Sequence, residues 1–96
     1  MTTSELLGFA KNFYQECEGI LSAKNADYNG KGQDALSNFR AVEQYGISTE
    51  AGFITRMSDK MKRIASLVEK GKQEVKDESI IDTLQDLANY SLLLAA

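Results

Sequence analysis

Apolar residues return every three or four positions along most of the chain, which is the signature of amphipathic helices. From Thr3 to Lys24 the recurring set is Leu6, Leu7, Ala10, Phe13, Tyr14, Cys17, Ile20 and Leu21, with Thr3 or Ser4 placed to cap the start. Asn25 to Gly32 reads as a loop, since Asn-Gly and Lys-Gly favour positive-φ turns. A short helix over residues 33–45 follows, with Ala35, Leu36, Phe39 and Val42 on one face and Gly46 as its C-cap. The third helix spans 49–70. Ser48-Thr49-Glu50 offers a cap with an acidic first turn, Phe53, Met57, Met61, Ile64 and Val68 form the apolar stripe, and Gly71 ends it. The fourth spans 77–95, where Ile80, Ile81, Leu84, Leu87, Ala88, Leu92 and Leu93 make a face wide enough for more than one neighbour. The pattern predicts an all-α protein, one small four-helix bundle over residues 1–96.

Composition supports this and narrows the chemistry. With 96 residues the chain is one domain with a limited core; 43% hydrophobic and 26% charged residues are ordinary for a globular protein. No proline interrupts the helices. A net charge of -3 and the absence of an isolated Lys/Arg block argue against duplex DNA as a partner. There is no histidine, which removes Ser–His and Cys–His catalysis and the commonest zinc ligand. Cys17 is the sole cysteine, so no intramolecular disulfide forms and a reducing, cytoplasmic setting is expected. The N-terminus lacks the basic-then-apolar order of a signal peptide, and the apolar run from Leu92 to Ala96 is far too short for a membrane span. Apolar residues on helices one and four exceed what one small bundle can bury, so a homo-oligomer, dimer or higher, is expected.

Two charged stripes carry the candidate chemistry. Arg56, Asp59, Lys60 and Arg63 stand at offsets of 0, 3, 4 and 7 on helix three, while Glu78, Asp82 and Asp86 stand four apart on helix four, extended by Asn89 and Tyr90. A short connection makes the two helices antiparallel neighbours. The stripes then form either an interhelical salt-bridge network or a ligand pocket lined by both signs of charge. Glu78 and Asp82, at i and i+4, have the spacing to hold Mg²⁺. In the loop, Lys31 supplies charge beside two glycines and Tyr28 a ring for stacking, with Asn38 just downstream.

The string Asp27-Tyr28, Asn38-Phe39, Gly46, Arg56-x-x-Asp59-Lys60-x-x-Arg63 and Asp77-Glu78-x-x-x-Asp82-Thr83-x-x-Asp86-Leu87-Ala88-Asn89-Tyr90 resembles the phage-associated nucleotide modification domain of the first type, over residues 24–94. That family is similar to the all-α nucleoside triphosphate pyrophosphohydrolases of MazG type, Mg²⁺-dependent bundles that dimerise or tetramerise. Those enzymes carry Glu-Glu-x-x-Glu on one helix and Glu-x-x-Asp on the next. Here Glu78-x-x-x-Asp82 stands in for the second half, and the first has no counterpart, helix three being basic there. The resemblance implies a nucleotide ligand in a phage-type protein, acting in the host cytoplasm. Three functions follow in order. The first is sequestration of a nucleotide immune signal, cyclic ones included, without cleavage. Here Arg56, Lys60 and Arg63 meet phosphates, Tyr28 or Tyr90 stacks on the base, and Asp82 or Asn89 reads ribose or base edges. The second is a Mg²⁺-dependent nucleotide enzyme, and the third an interaction protein whose charged stripes only join helices.

Overall fold

The computed structural model describes residues 1–29, 34–70 and 78–96, the side chains of Tyr28, Asn29, Lys70, Glu78 and Ser79 excepted. Among the described residues the protein is all-helical: α1 (Thr3–Asn29), α2 (Ser37–Arg40), a 3-10 helix (Ala41–Tyr45), α3 (Thr49–Lys70) and α4 (Glu78–Ala95).

The first helix is longer than its apolar pattern suggests. It does not give way to a loop at Asn25 but continues to Asn29, because no glycine or proline occurs between Ile20 and Gly30. The helix starts at Thr3, and its cap is Thr2 rather than Thr3 or Ser4. The Glu5 N–H donates to Thr2 Oγ1 at 3.1 Å and the Thr2 N–H to Glu5 Oε1 at 2.9 Å, a reciprocal capping box.

The helix expected over 33–45 is broken into pieces. Asp34 Oδ1 accepts the Leu36 N–H at 3.0 Å, and this turn delays helix entry until Ser37. After Arg40 the backbone tightens into the 3-10 segment. Gly46, at φ +79°, ends it as anticipated: its N–H bonds Glu43 O, and the Ile47 N–H bonds Val42 O. Ser48 caps α3 through Oγ, which accepts the Ala51 N–H at 3.0 Å. Gly52 allows the close approach between the two elements, since a Cβ there would stand 3.2 Å from Val42 Cγ2.

The centre of the assembly is α4, which packs on both α1 and α3. Lys60 meets Asp86 while Arg56 lies over Tyr90, so α3 and α4 run antiparallel. Phe39 packs on Phe53, ring centroids 4.8 Å apart, and draws α2 onto α3. The α1–α4 contact is polar. Asn89 Nδ2 donates to the Cys17 carbonyl at 3.0 Å, Gln85 Nε2 donates to Glu16 Oε1 at 3.0 Å, and the Cys17 thiol faces the Gln85 carbonyl.

Buried apolar side chains among the described residues are Cys17, Phe53 and Ile80, joined by the buried polar residues Thr83, Gln85 and Asn89. The apolar stripe assigned to α3 is only partly the packed one. Met61 and Val68 face solvent, and the inward row runs Phe53, Arg56, Met57, Lys60, Ile64, Leu67. Two cations therefore occupy core-facing positions. No described helix is long and apolar enough to cross a membrane.

Candidate nucleotide-binding cavity

Four helices line a cavity of about 580 Å³. From α1 come Glu18, Leu21, Ser22 and Asn25, at offsets of 0, 3, 4 and 7, with Lys24 beside them. From α4 come Asp86, Asn89, Tyr90 and Leu93, at the same offsets. Asn38 and Phe39 of α2 close one side and Arg56 of α3 another. The extension of α1 past Lys24 is what brings Asn25 to this wall.

Asp86 is the electrostatic centre. Its two carboxylate oxygens take the ammonium groups of Lys60 of α3, at 2.9 Å, and Lys24 of α1, at 3.2 Å. Partial burial raises the Asp86 carboxyl, but the hydrogen bonds from Lys60 and Lys24 outweigh it and hold the group below the usual aspartate value. The charged rows of α3 and α4 thus do meet, though through one pair. Among the described residues Arg56, Asp59, Arg63 and Asp82 form no interhelical salt bridge.

Arg56 is placed differently. Its guanidinium carbon lies 5.1 Å from the centroid of Phe39 and 6.0 Å from that of Tyr90, on the cavity wall. Among the described residues it has no carboxylate partner. The cavity therefore presents a permanent cation flanked by two aromatic rings, with Asp86 already neutralised and the exposed Glu18 at the α1 wall.

The sequence candidates divide accordingly. Asn38, Arg56, Asp86, Asn89 and Tyr90 line the cavity. Asp59, Lys60 and Arg63 line an adjoining shallow groove together with Arg56 and Tyr90. Asp82 is exposed and lines neither. Lys31 and the side chains of Tyr28 and Glu78 lie outside the described residues, so the Glu78–Asp82 metal pair has no structural account; among the described residues no three acidic or cysteine side chains cluster as a metal cage. Lys24, Glu18, Leu21, Ser22 and Asn25 were not singled out from sequence. Their signal was the helical spacing from Cys17, which carries Leu21 and Lys24 onto one face at offsets of 4 and 7.

The burial of Cys17 pushes its thiol up, and the nearby Glu16 and Asp86 charges add to this, so it is held protonated.

A family described as nucleotide modification associated domain 1 matches residues 41–95, which contain α3 and α4 and hence Arg56, Lys60, Asp86, Asn89 and Tyr90. The match stops short of α1 and α2, the other two walls, and says nothing of MazG-type enzymes. No curated protein and no solved structure matches the chain.

Proposed function

This chain belongs to the nucleotide modification associated domain 1 family, and we propose that it binds a nucleotide in the cavity between α1, α2, α3 and α4 and holds it without cleaving it. The observation that carries the reading is Arg56: a guanidinium with no carboxylate partner among the described residues, set between Phe39 and Tyr90 on the wall of a recess of about 580 Å³. Small-molecule sites are of this size, mainly apolar with a few polar groups that fix orientation. A nucleotide supplies what this wall lacks, an anion for Arg56 and a flat base for the rings. Asn38 and Asn89 add amide groups to the lining.

Asp86 supports retention over cleavage. Both of its oxygens are occupied by lysines and its carboxyl is held ionised and below its usual range, which suits a structural anchor and not a general base working near neutral pH. A protein of this kind sequesters its ligand, and a nucleotide signal of a host defence is the role that the family resemblance suggests.

The test is incubation of the protein with nucleoside mono-, di- and triphosphates and cyclic di- and trinucleotides, followed by removal of free ligand, denaturation and mass spectrometry of what is released. Intact nucleotide retained by the parent protein, and lost in Arg56→Gln with helicity unchanged, supports the reading. A hydrolysed product, or equal retention by Arg56→Gln, overturns it.

A further inference from the structure

The cavity does not end at Arg56. The groove lined by Arg56, Asp59, Lys60, Arg63 and Tyr90 begins where the cavity stops, and the two recesses share Arg56 and Tyr90. Their chemistry differs. The cavity is bounded by Leu21, Phe39, Tyr90 and Leu93 with charges that cancel, Lys24 and Arg56 against Glu18 and Asp86. In the groove Lys60 is held by Asp86 and Asp59 is the acid of the lining, while among the described residues neither Arg56 nor Arg63 is paired. Arg56, Lys60 and Arg63 follow one line of α3 over seven residues, about 10 Å of helix axis.

From this we infer that the ligand is an open-chain nucleoside polyphosphate, its base and sugar in the cavity and its phosphates laid along the α3 groove toward Arg63. The inference rests on the nucleotide reading above and extends it to the class of nucleotide. A base needs flat apolar walls, and a row of phosphates needs a row of cations held in one direction. A linear chain of phosphates can leave the cavity past Arg56 and reach the unpaired Arg63. A ring closed through its phosphates returns its second phosphate toward the cavity, where Asp86 has already taken Lys24 and Lys60.

The experiment is a calorimetric affinity series with adenosine and guanosine mono-, di- and triphosphates and a cyclic dinucleotide, on the parent protein and on Arg63→Gln. Arg63 is exposed, so its replacement leaves packing intact. Affinity is expected to rise by about tenfold or more from mono- to triphosphate. Arg63→Gln is expected to remove most of that gain while leaving the monophosphate unchanged. Equal affinity across the series, a cyclic dinucleotide bound more tightly than the triphosphates, or no response to Arg63→Gln overturns the groove while leaving the cavity site standing. Binding of no nucleotide at all overturns both.

A separate observation concerns surface area. The protein exposes 7008 Å², whereas a compact monomer of its mass exposes about 5,500 Å². Its radius of gyration of 15.4 Å exceeds the roughly 12.5 Å of a compact chain of this length. Part of the exposed surface is apolar and lies on the N-terminal turns of α1, where Leu6, Leu7, Phe9 and Tyr14 are 51%, 64%, 53% and 65% exposed. Leu6 and Tyr14 continue toward the N-terminus the face that packs on α4 at Cys17, with Leu7 and Phe9 on its two flanks. An excess of roughly 1,500 Å² is what one protomer contributes to an obligate dimer. We infer that a second copy of this chain covers the N-terminal half of α1. Light scattering at micromolar concentration is expected to give a dimer or a higher multiple of the chain mass, and Leu7→Glu with Phe9→Glu to give a monomer of unchanged helicity. As a control, Met61→Glu on the exposed side of α3 should leave assembly intact. A monomeric parent protein, or an assembly that survives the α1 changes, overturns the inference.

Discussion

Lys60 Nζ lies 2.9 Å from one carboxylate oxygen of Asp86, and this contact joins α3 to α4 at the floor of the cavity. The other oxygen is taken by Lys24 at 3.2 Å, so one acid ties three helices together. Because Lys60 stands in the inward row of α3 and Asp86 is only 19% exposed, water cannot fully replace a lost partner.

Lys60→Met is therefore expected to lower stability by about 1–2 kcal/mol, the remaining Lys24 contact limiting the loss. Urea denaturation measures it. Adding Asp86→Leu should recover part of the loss, because the orphaned charge goes with its partner. An unaltered midpoint for Lys60→Met would show the contact to be inert.

Acid should weaken the fold through the same group. The folded Asp86 carboxyl titrates below the ordinary aspartate value of 3.8, so it binds protons less readily than in the unfolded chain. Its stabilisation is complete above that value and fades as pH drops through the folded one. Asp34, lowered by the Leu36 N–H and then by Arg40, adds in the same direction. Thermal unfolding should show a fall in midpoint below about pH 4, with a shallower fall in Asp86→Asn.

At the alkaline end Cys17 works in the opposite sense. Its thiol is raised above 9.0 in the folded protein, so stability drops as pH climbs past 9.0 and the unfolded thiol ionises first. The burial that causes this also shields the sulfur. A thiol reagent at mildly alkaline pH should label Cys17 slowly in buffer and rapidly in urea; equal rates would contradict the buried placement.

The entry to α3 should be sensitive to two small changes. Gly46→Ala is expected to cost about 1 kcal/mol from backbone strain alone, since a Cβ there meets nothing within 4 Å. Ser48→Ala should cost about 1 kcal/mol by removing the Oγ cap. Both are read by chemical denaturation, and because neither residue touches the cavity, nucleotide binding should persist.

Much of the fold was legible in the sequence because helical periodicity survives in single chains. The start of α3, the Gly46 cap and the two-sided apolar face of α4 all follow from spacing, while Gly71, expected to end α3, lies outside the described residues. The end of α1 did not, because Asn25, Asp27 and Asn29 suit turns locally, yet nothing in Asn25–Asn29 forbids helix once it has been nucleated. The packed row of α3 was obscured by equating apolar with inward: Met61 and Val68 face solvent while Arg56 and Lys60 face the core. That misreading bears on function, because Arg56 stands on the cavity wall and Lys60 anchors Asp86 at its floor. Arg56, Asp86, Asn89 and Tyr90 were visible as residues, but their meeting with Lys24 and Asn25 depends on how α1 crosses α4, and local spacing carries no information on that crossing.

The most direct test of the central claim is a backbone-amide NMR titration with a nucleoside triphosphate. Shifts are expected to cluster at Leu21, Asn25, Asn38, Arg56, Asn89 and Tyr90 and to vanish in Arg56→Gln. Saturable shifts confined to another surface, or a spectrum unmoved by any nucleotide, would contradict the account.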